Sequence, residues 1–109
     1  MVTKEIYVDA VLDALGNQVR REILDMLRES DLSVGEIAAR FPVSRPAVSK
    51  HLRILREAGL VEHTTIGTSN IFRIKYQVFE TAREYLDSFW DEALFKFKKA
   101  AEKQANSEQ

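Results

Sequence analysis

The segment Ser44–Leu55, SRPAVSKHLRIL, carries two kinds of chemistry on one helix. Val48, Leu52 and Leu55 recur at i, i+4 and i+7, which is the apolar stripe of a helix packed on a core. Lys50 and Arg53 project away from that stripe, flanked by Ala47 and Ser49. Arg and Lys donate to guanine edges in a DNA major groove, and small residues let a helix backbone approach. The spacing therefore predicts a DNA-reading face made of Ser44, Arg45, Ala47, Ser49, Lys50 and Arg53. Ser49, Lys50 and Arg53 would reach base edges, and Ser44 and Arg45 would sit near a phosphate, where a helix N-terminus adds its own attraction. Ser44 also reads as a plain N-cap, and Arg53 as a solvent ion-pair partner. His51 falls at the edge of the apolar stripe. It reads either as a half-buried histidine bonded within the domain or as a phosphate contact.

Charge agrees with this placement. The 109 residues carry a net charge of −1, yet residues 37–57 alone carry +4, from Arg40, Arg45, Lys50, Arg53 and Arg56 against Glu57. Residues 1–36 carry −4 and residues 77–109 carry −2. Positive charge concentrated on one segment is the footprint of nucleic-acid binding even where the whole chain is near neutral. The chain has no cysteine, which excludes disulfides, thiolate metal sites and thiol redox switching. Met1–Glu5 lacks the apolar stretch of a signal peptide, and no apolar run approaches membrane-spanning length, so a cytoplasmic protein without membrane contact is expected. An enzyme is not expected. The chain shows no nucleophile–base pair with a third member, no phosphate-binding glycine loop and no metal cluster.

The surrounding elements must hold the reader helix in place. Residues 4–15 read as a helix with Ile6, Ala10, Val11, Ala14 and Leu15 on one side, ended by Gly16 in the left-handed conformation. Asn17 caps a second helix, with Val19, Ile23, Met26 and Leu27 inward through about Arg28. Arg20 and Arg21 open it, and read equally as phosphate contacts or as partners of the acidic first helix. Ser33-Val34-Gly35-Glu36 is a capping box that opens a short helix with Ile37, Ala38 and Phe41 inward. Phe41–Ser44 is a tight turn, Pro46 suits the first turn of the next helix, and Gly59 closes it. Residues 33–59 thus form a helix-turn-helix. After Gly59 the period becomes alternating, through Leu60–Ile66, the turn Gly67–Asn70 and Ile71–Tyr76. That hairpin, about 60–76, is a wing, and Asn70 and Arg73 are its expected DNA contacts.

Residues 77–103 read as one long helix, with 105–109 a frayed tail. Its apolar residues cover a stripe wider than one small domain buries. Tyr85, Leu86, Phe89, Trp90, Ala93, Leu94 and Phe97, joined by Val11 from the first helix, are the expected interface of a symmetric homodimer. The fold class expected is mainly α with a small β-hairpin (α+β), order ααααββα: one winged helix-turn-helix domain over 1–104 with a long C-terminal dimerisation helix.

Two motifs carry a family likeness over roughly residues 8–76. Asp13–Leu24, DALGNQVRREIL, is similar to the opening pattern ALxxxxRxxIL. Ser44–Leu52, followed by Leu55 and Ala58-Gly59-Leu60-Val61, is similar to the reader pattern S-x-x-x-x-S-x-H-L-x-x-L-x-x-A-G-L-V. Together they resemble the ArsR-type winged-helix repressors of bacteria and archaea, and Phe89–Leu94, FWDEAL, resembles the family's non-metal branch. The resemblance implies a homodimer that binds a palindromic operator in double-stranded DNA and represses transcription, with DNA release on a signal. It implies no cofactor here. The family's thiolate metal sites fall where this chain has Asp31-Leu32-Ser33-Val34-Gly35, and its C-terminal-helix sites use His, whereas the only histidines are His51 and His63. The effector, the operator and the regulated genes are left open. A winged-helix protein–protein module without DNA binding is the alternative, favoured by a wing tip with no arginine.

Overall fold

Helix caps and apolar stripes organise the first half of the chain. The computed structural model describes residues 4–107, with side chains from Val8 onward. Helices α1 (Lys4–Leu15) and α2 (Gln18–Glu29) come first. Ile6, expected on the apolar side of α1, lies outside the described side chains. Asn17 caps α2, its side chain accepting from the Arg20 backbone N–H at 3.1 Å. Gly16 does not adopt the expected left-handed conformation, since among the described residues only Gly59 and Gly67 have positive φ. The end of α1 is closed by side chains instead. Arg20 Nε donates to the Ala14 carbonyl at 2.7 Å, Arg20 Nη2 to Asp13 at 3.1 Å, and Arg21 Nη1 to Leu15 at 2.8 Å. Two guanidinium groups thereby satisfy orphan carbonyls at the negative end of the helix dipole. Both arginines thus partner the first helix, through its backbone carbonyls.

A short strand, β1 (Leu32–Ser33), was not legible, because two residues are too few to show alternation. Ser33 is also the N-cap of α3 (Val34–Ala38). Its hydroxyl accepts from Glu36 N–H at 3.2 Å, while the Glu36 carboxylate accepts from Ser33 N–H at 2.9 Å, the expected capping box. The Ser33 backbone N–H, and after it the Ser33 side chain, hold the Glu36 carboxyl below its ordinary value. Helix α4 (Arg45–Glu57) follows, capped by Ser44, whose hydroxyl accepts from Ala47 N–H at 3.3 Å. Strands β2 (Val61–Ile66) and β3 (Ser69–Ile74) form the wing, and the sheet order is β1-β3-β2. The register pairs Leu32 with Phe72 and His63 with Phe72 on either side of β3, and Thr65 with Asn70. The hairpin loop is tighter than expected. Only Gly67 and Thr68 lie between the strands, with Gly67 at φ 63° supplying the turn.

The core runs through every element. Val11 and Ala14 of α1, Ile23 and Leu27 of α2, Ile37 of α3 and Val48, Leu52 and Leu55 of α4 meet Leu60, Val61 and Phe72 of the wing and Ala82 of α5. Helix α5 spans Gln77–Ser107, so the tail read as frayed is helical through Ser107. Its last stretch, KKAAEKQANS, is rich in strong helix formers. At 31 residues it measures about 46 Å. The chain extends 73 Å along its longest axis and has a radius of gyration of 19.8 Å, against about 13 Å for a compact chain of this length. The base of α5 packs on α1, and the rest projects away from the body.

Gly59 is the tightest junction. Its φ is 81°, and a Cβ there would stand 2.8 Å from Val78 Cγ2 at the start of α5. Gly67 has open space around it. Gly59→Ala is expected to lower unfolding free energy by about 1–3 kcal/mol, and more than Gly67→Ala, which carries only the backbone cost of about 1 kcal/mol. Urea unfolding of both variants measures this, and equal losses would show that Val78 simply moves aside.

Candidate nucleic-acid interface

Helix α4 is buried on one side and open on the other. Val48, Leu52 and Leu55 are buried, while Ser44, Arg45, Ser49, Lys50 and Arg53 are exposed and Ala47 is half-buried. The burial is what orients the cations, because an unpaired charge cannot follow the aliphatic side chains inward without a large desolvation cost. Lys50, Arg53 and Arg56 make no ion pair among the described residues, so their charge is free to act outward. Arg45 sits at the first turn, its guanidinium carbon 3.9 Å from where a Cβ on Gly35 of α3 would stand.

A groove of about 450 Å³ lies between α4 and the wing. Ser49, Lys50, Arg53 and Arg56 form its basic wall, Asn70 its wing side, and Val34, Leu52 and Phe72 are among its apolar lining. The fold thus brings together Ser49, Lys50, Arg53 and Asn70 from the expected set. Arg56 was not singled out beforehand, although its spacing of i+3 from Arg53 and i+7 from Ser49 puts it on the same face. Asn70 accepts a hydrogen bond from Thr65 Oγ1 at 2.7 Å through Oδ1, which leaves its amide N–H₂ as a donor.

Arg73 is placed differently. It alternates with Phe72 and so lies on the opposite face of the hairpin from the groove. Its guanidinium is 3.7 Å from both Asp31 and Glu62, and Nη2 donates to Thr64 Oγ1 at 2.6 Å. Two carboxylates and a hydroxyl tie it to the base of the wing, and the expected DNA contact by Arg73 is not supported by this position.

His51 belongs to the domain's internal bonding. Its Nδ1 lies 3.3 Å from Arg20 Nη1, in agreement with the half-buried reading. Burial, then the Arg20 charge, then Lys50, hold its pKa below the ordinary 6.5.

The expected interface residues divide. Val11 is fully buried within the core of a single chain, so it cannot face a partner; its place under α5 explains the stripe position that suggested otherwise. Tyr85, Leu86, Phe89, Trp90, Ala93, Leu94 and Phe97 are all exposed, Trp90 at 66% and Phe97 at 73%. Leu86, Phe89, Trp90 and Ala93 line one shallow apolar depression. Phe95, also exposed, lies off this stripe under the ammonium of Lys99, 5.7 Å from the ring centre. Among the described residues no helix is long and apolar enough to cross a membrane.

Comparison with known proteins agrees with this architecture. Residues 17–63 match the family model described as bacterial regulatory protein, arsR family. The HTH-type transcriptional regulator Rv2034 of Mycobacterium tuberculosis is 41% identical over 79% of this chain and 80% of its own. The transcriptional repressor SdpR of Bacillus subtilis is 30% identical over 72% of this chain and 88% of its own. Among solved structures, an ArsR-like transcriptional regulator from Rhodococcus superposes with a TM-score of 0.71 at 37% identity, covering 88% of this chain and 91% of that one. The homodimeric winged helix-turn-helix domain of Mb0332 from Mycobacterium bovis gives 0.63 at 32% identity, covering 81% and 82%. A capped helix with an unpaired basic face, a wing beside it and relatives of this similarity lead to one assignment: the chain belongs to the ArsR family, and is a DNA-binding transcriptional regulator rather than an enzyme.

Proposed function

We propose that this regulator binds a palindromic operator as a symmetric homodimer and represses transcription from it. The observation that carries the DNA-reading part is the exposed face of α4. Among the described residues, Lys50, Arg53 and Arg56 stand there without carboxylate partners, in one groove with Ser49 and Asn70. Lys50, Arg53 and Ser49 read base edges, while Ser44 and Arg45 at the helix start hold a phosphate. Arg73 contributes by bracing the wing. The wing tip adds Asn70 rather than a cation, so α4 supplies most of the counterion release.

The homodimer reading rests on α5. Along the stripe from Tyr85 to Phe97, large apolar side chains stay 42–73% exposed in a single chain, and a contiguous patch of that kind marks an interaction surface. A second copy covers it with the same residues, as a two-fold axis requires, and the similar Mycobacterium bovis domain is homodimeric. Two α4 helices would then enter major grooves about 34 Å apart. Repression follows the similarity to SdpR. The signal is assigned to the non-metal branch, because the chain has no cysteine and α5 has no histidine. A cytoplasmic location goes with operator binding.

Selection of bound sequences from random DNA, followed by titration at several salt concentrations, tests the interface. Arg53→Ala should relax preference at one position by about 1–3 kcal/mol. Arg45→Gln should leave preference intact and lower the slope of log K against log salt by about one. A Lys50→Ala/Arg53→Ala double variant that binds like the parent would remove α4 from the interface. For the dimer, sedimentation at micromolar concentration should show two chains. Trp90→Glu should give a monomer of unchanged helical content, because Trp90 is outside the single-chain core. A parent protein that sediments as a monomer contradicts the assembly.

A further inference from the structure

The reader helix leaves its own element through one side-chain polar contact. Among the described residues, the 3.3 Å approach of Arg20 Nη1 to His51 Nδ1 is the only side-chain hydrogen bond or ion pair that joins α4 to another element. All its other anchors are apolar. The same guanidinium holds the last turn of α1 through the Ala14 and Asp13 carbonyls. Helix α1 in turn packs against α5. A planar, five-donor group thus spans two helices that face different tasks, with its donors fixed in one plane.

We propose that the Arg20–His51 contact is a strut that sets the reader helix against the α1–α5 pair, making His51 a positioning residue for DNA reading. This rests on α4 as the reader and α5 as the dimer helix. Apolar packing resists separation of helices but tolerates small slides and rotations. A directional bond from Arg20 removes that freedom, and the position of α4 relative to α5 is what spaces two reader helices across a dimer.

The strut depends on protonation. Arg20 can donate to Nδ1 only while Nδ1 has its lone pair, which puts the imidazole proton on Nε2. A second proton makes Nδ1 a donor facing a cation, and the contact is lost. The charges bearing on His51 are Arg20 from α2 and Lys50 from α4. Among the described side chains of α1, α3 and β2, the other elements packed on α4, none that is ionisable bears on it. All its charged neighbours are positive, and with burial they favour the neutral ring. The folded value lies below 6.5, so the strut is complete above that pH and fails as pH falls through the folded value. A histidine that instead touched phosphate directly would have the opposite sign, binding DNA more tightly in acid.

Two measurements test the proposal, on the intact protein with operator DNA selected as above and on the protein alone. Between about pH 7.5 and 5.5, parent affinity should fall with acidification beyond the change seen in His51→Gln. The glutamine amide oxygen still accepts from Arg20, so that variant should keep near-parental affinity at the upper pH. His51→Leu should bind about tenfold more weakly at the upper pH, the worth of one hydrogen bond to a charged group, with no more pH dependence than His51→Gln. Without DNA, amide exchange over residues 45–57 should quicken in His51→Leu relative to α2, and remain near parental in His51→Gln. Parental exchange in His51→Leu, or parent binding that tightens in acid relative to His51→Gln, overturns the strut. A parent that binds no DNA would overturn the operator reading instead, and the exchange result would then decide the strut by itself.

Discussion

Helix α4 is anchored by one face, which leaves its basic face in solvent, and the rest of the molecule follows from that division. Val48, Leu52 and Leu55 are at most 1% exposed. Burying such a side chain is worth about 1.5–3 kcal/mol, so three of them outweigh any gain from turning the helix. The cations between them in sequence are thereby forced outward, since burial would cost them their hydration with no carboxylate to compensate. Each neighbouring element contributes a surface for that stripe: α2 and α3 beneath it, the wing at its far end.

Polar contacts then do what apolar packing does poorly, which is to fix ends and orientations. Ser44, Asn17 and Ser33 each satisfy a backbone donor at a helix start. Arg20 and Arg21 close α1 from outside, taking carbonyls that a left-handed glycine turn would otherwise have satisfied. The result is a rigid junction between α1 and α2 in which Gly16 needs no unusual backbone. The one residue that does need it, Gly59, lets the chain leave α4 and enter the wing with Val78 packed directly against it.

The wing and α5 show two opposite uses of side chains near a surface. On the wing, Arg73 is consumed internally by Asp31, Glu62 and Thr64, so the hairpin is braced but brings little charge to its tip. On α5, aromatic residues remain exposed in a single chain, and the helix projects well past the body it packs on. A monomer gains nothing from such a surface.

Periodicity and cap chemistry are local, and the sequence alone therefore determined the helix-turn-helix, the capping box, the wing, the long last helix and the outward face of α4. Residues 44–55 are unambiguous because stripe and charge fall on a 3.6-residue period within a single helix. What the sequence could not decide were contacts between residues distant along the chain. Arg20 meets His51 across 31 positions and Arg73 meets Asp31 across 42, and charge alone left each with several partners in reach. The two-residue β1 exists only because β3 lies beside it. Val11 is apolar like the α5 residues that stay exposed, and only the packing of α5 over α1 assigned it to the core. Tertiary structure settled these cases because burial and directional bonding depend on which elements lie side by side, which no local pattern records.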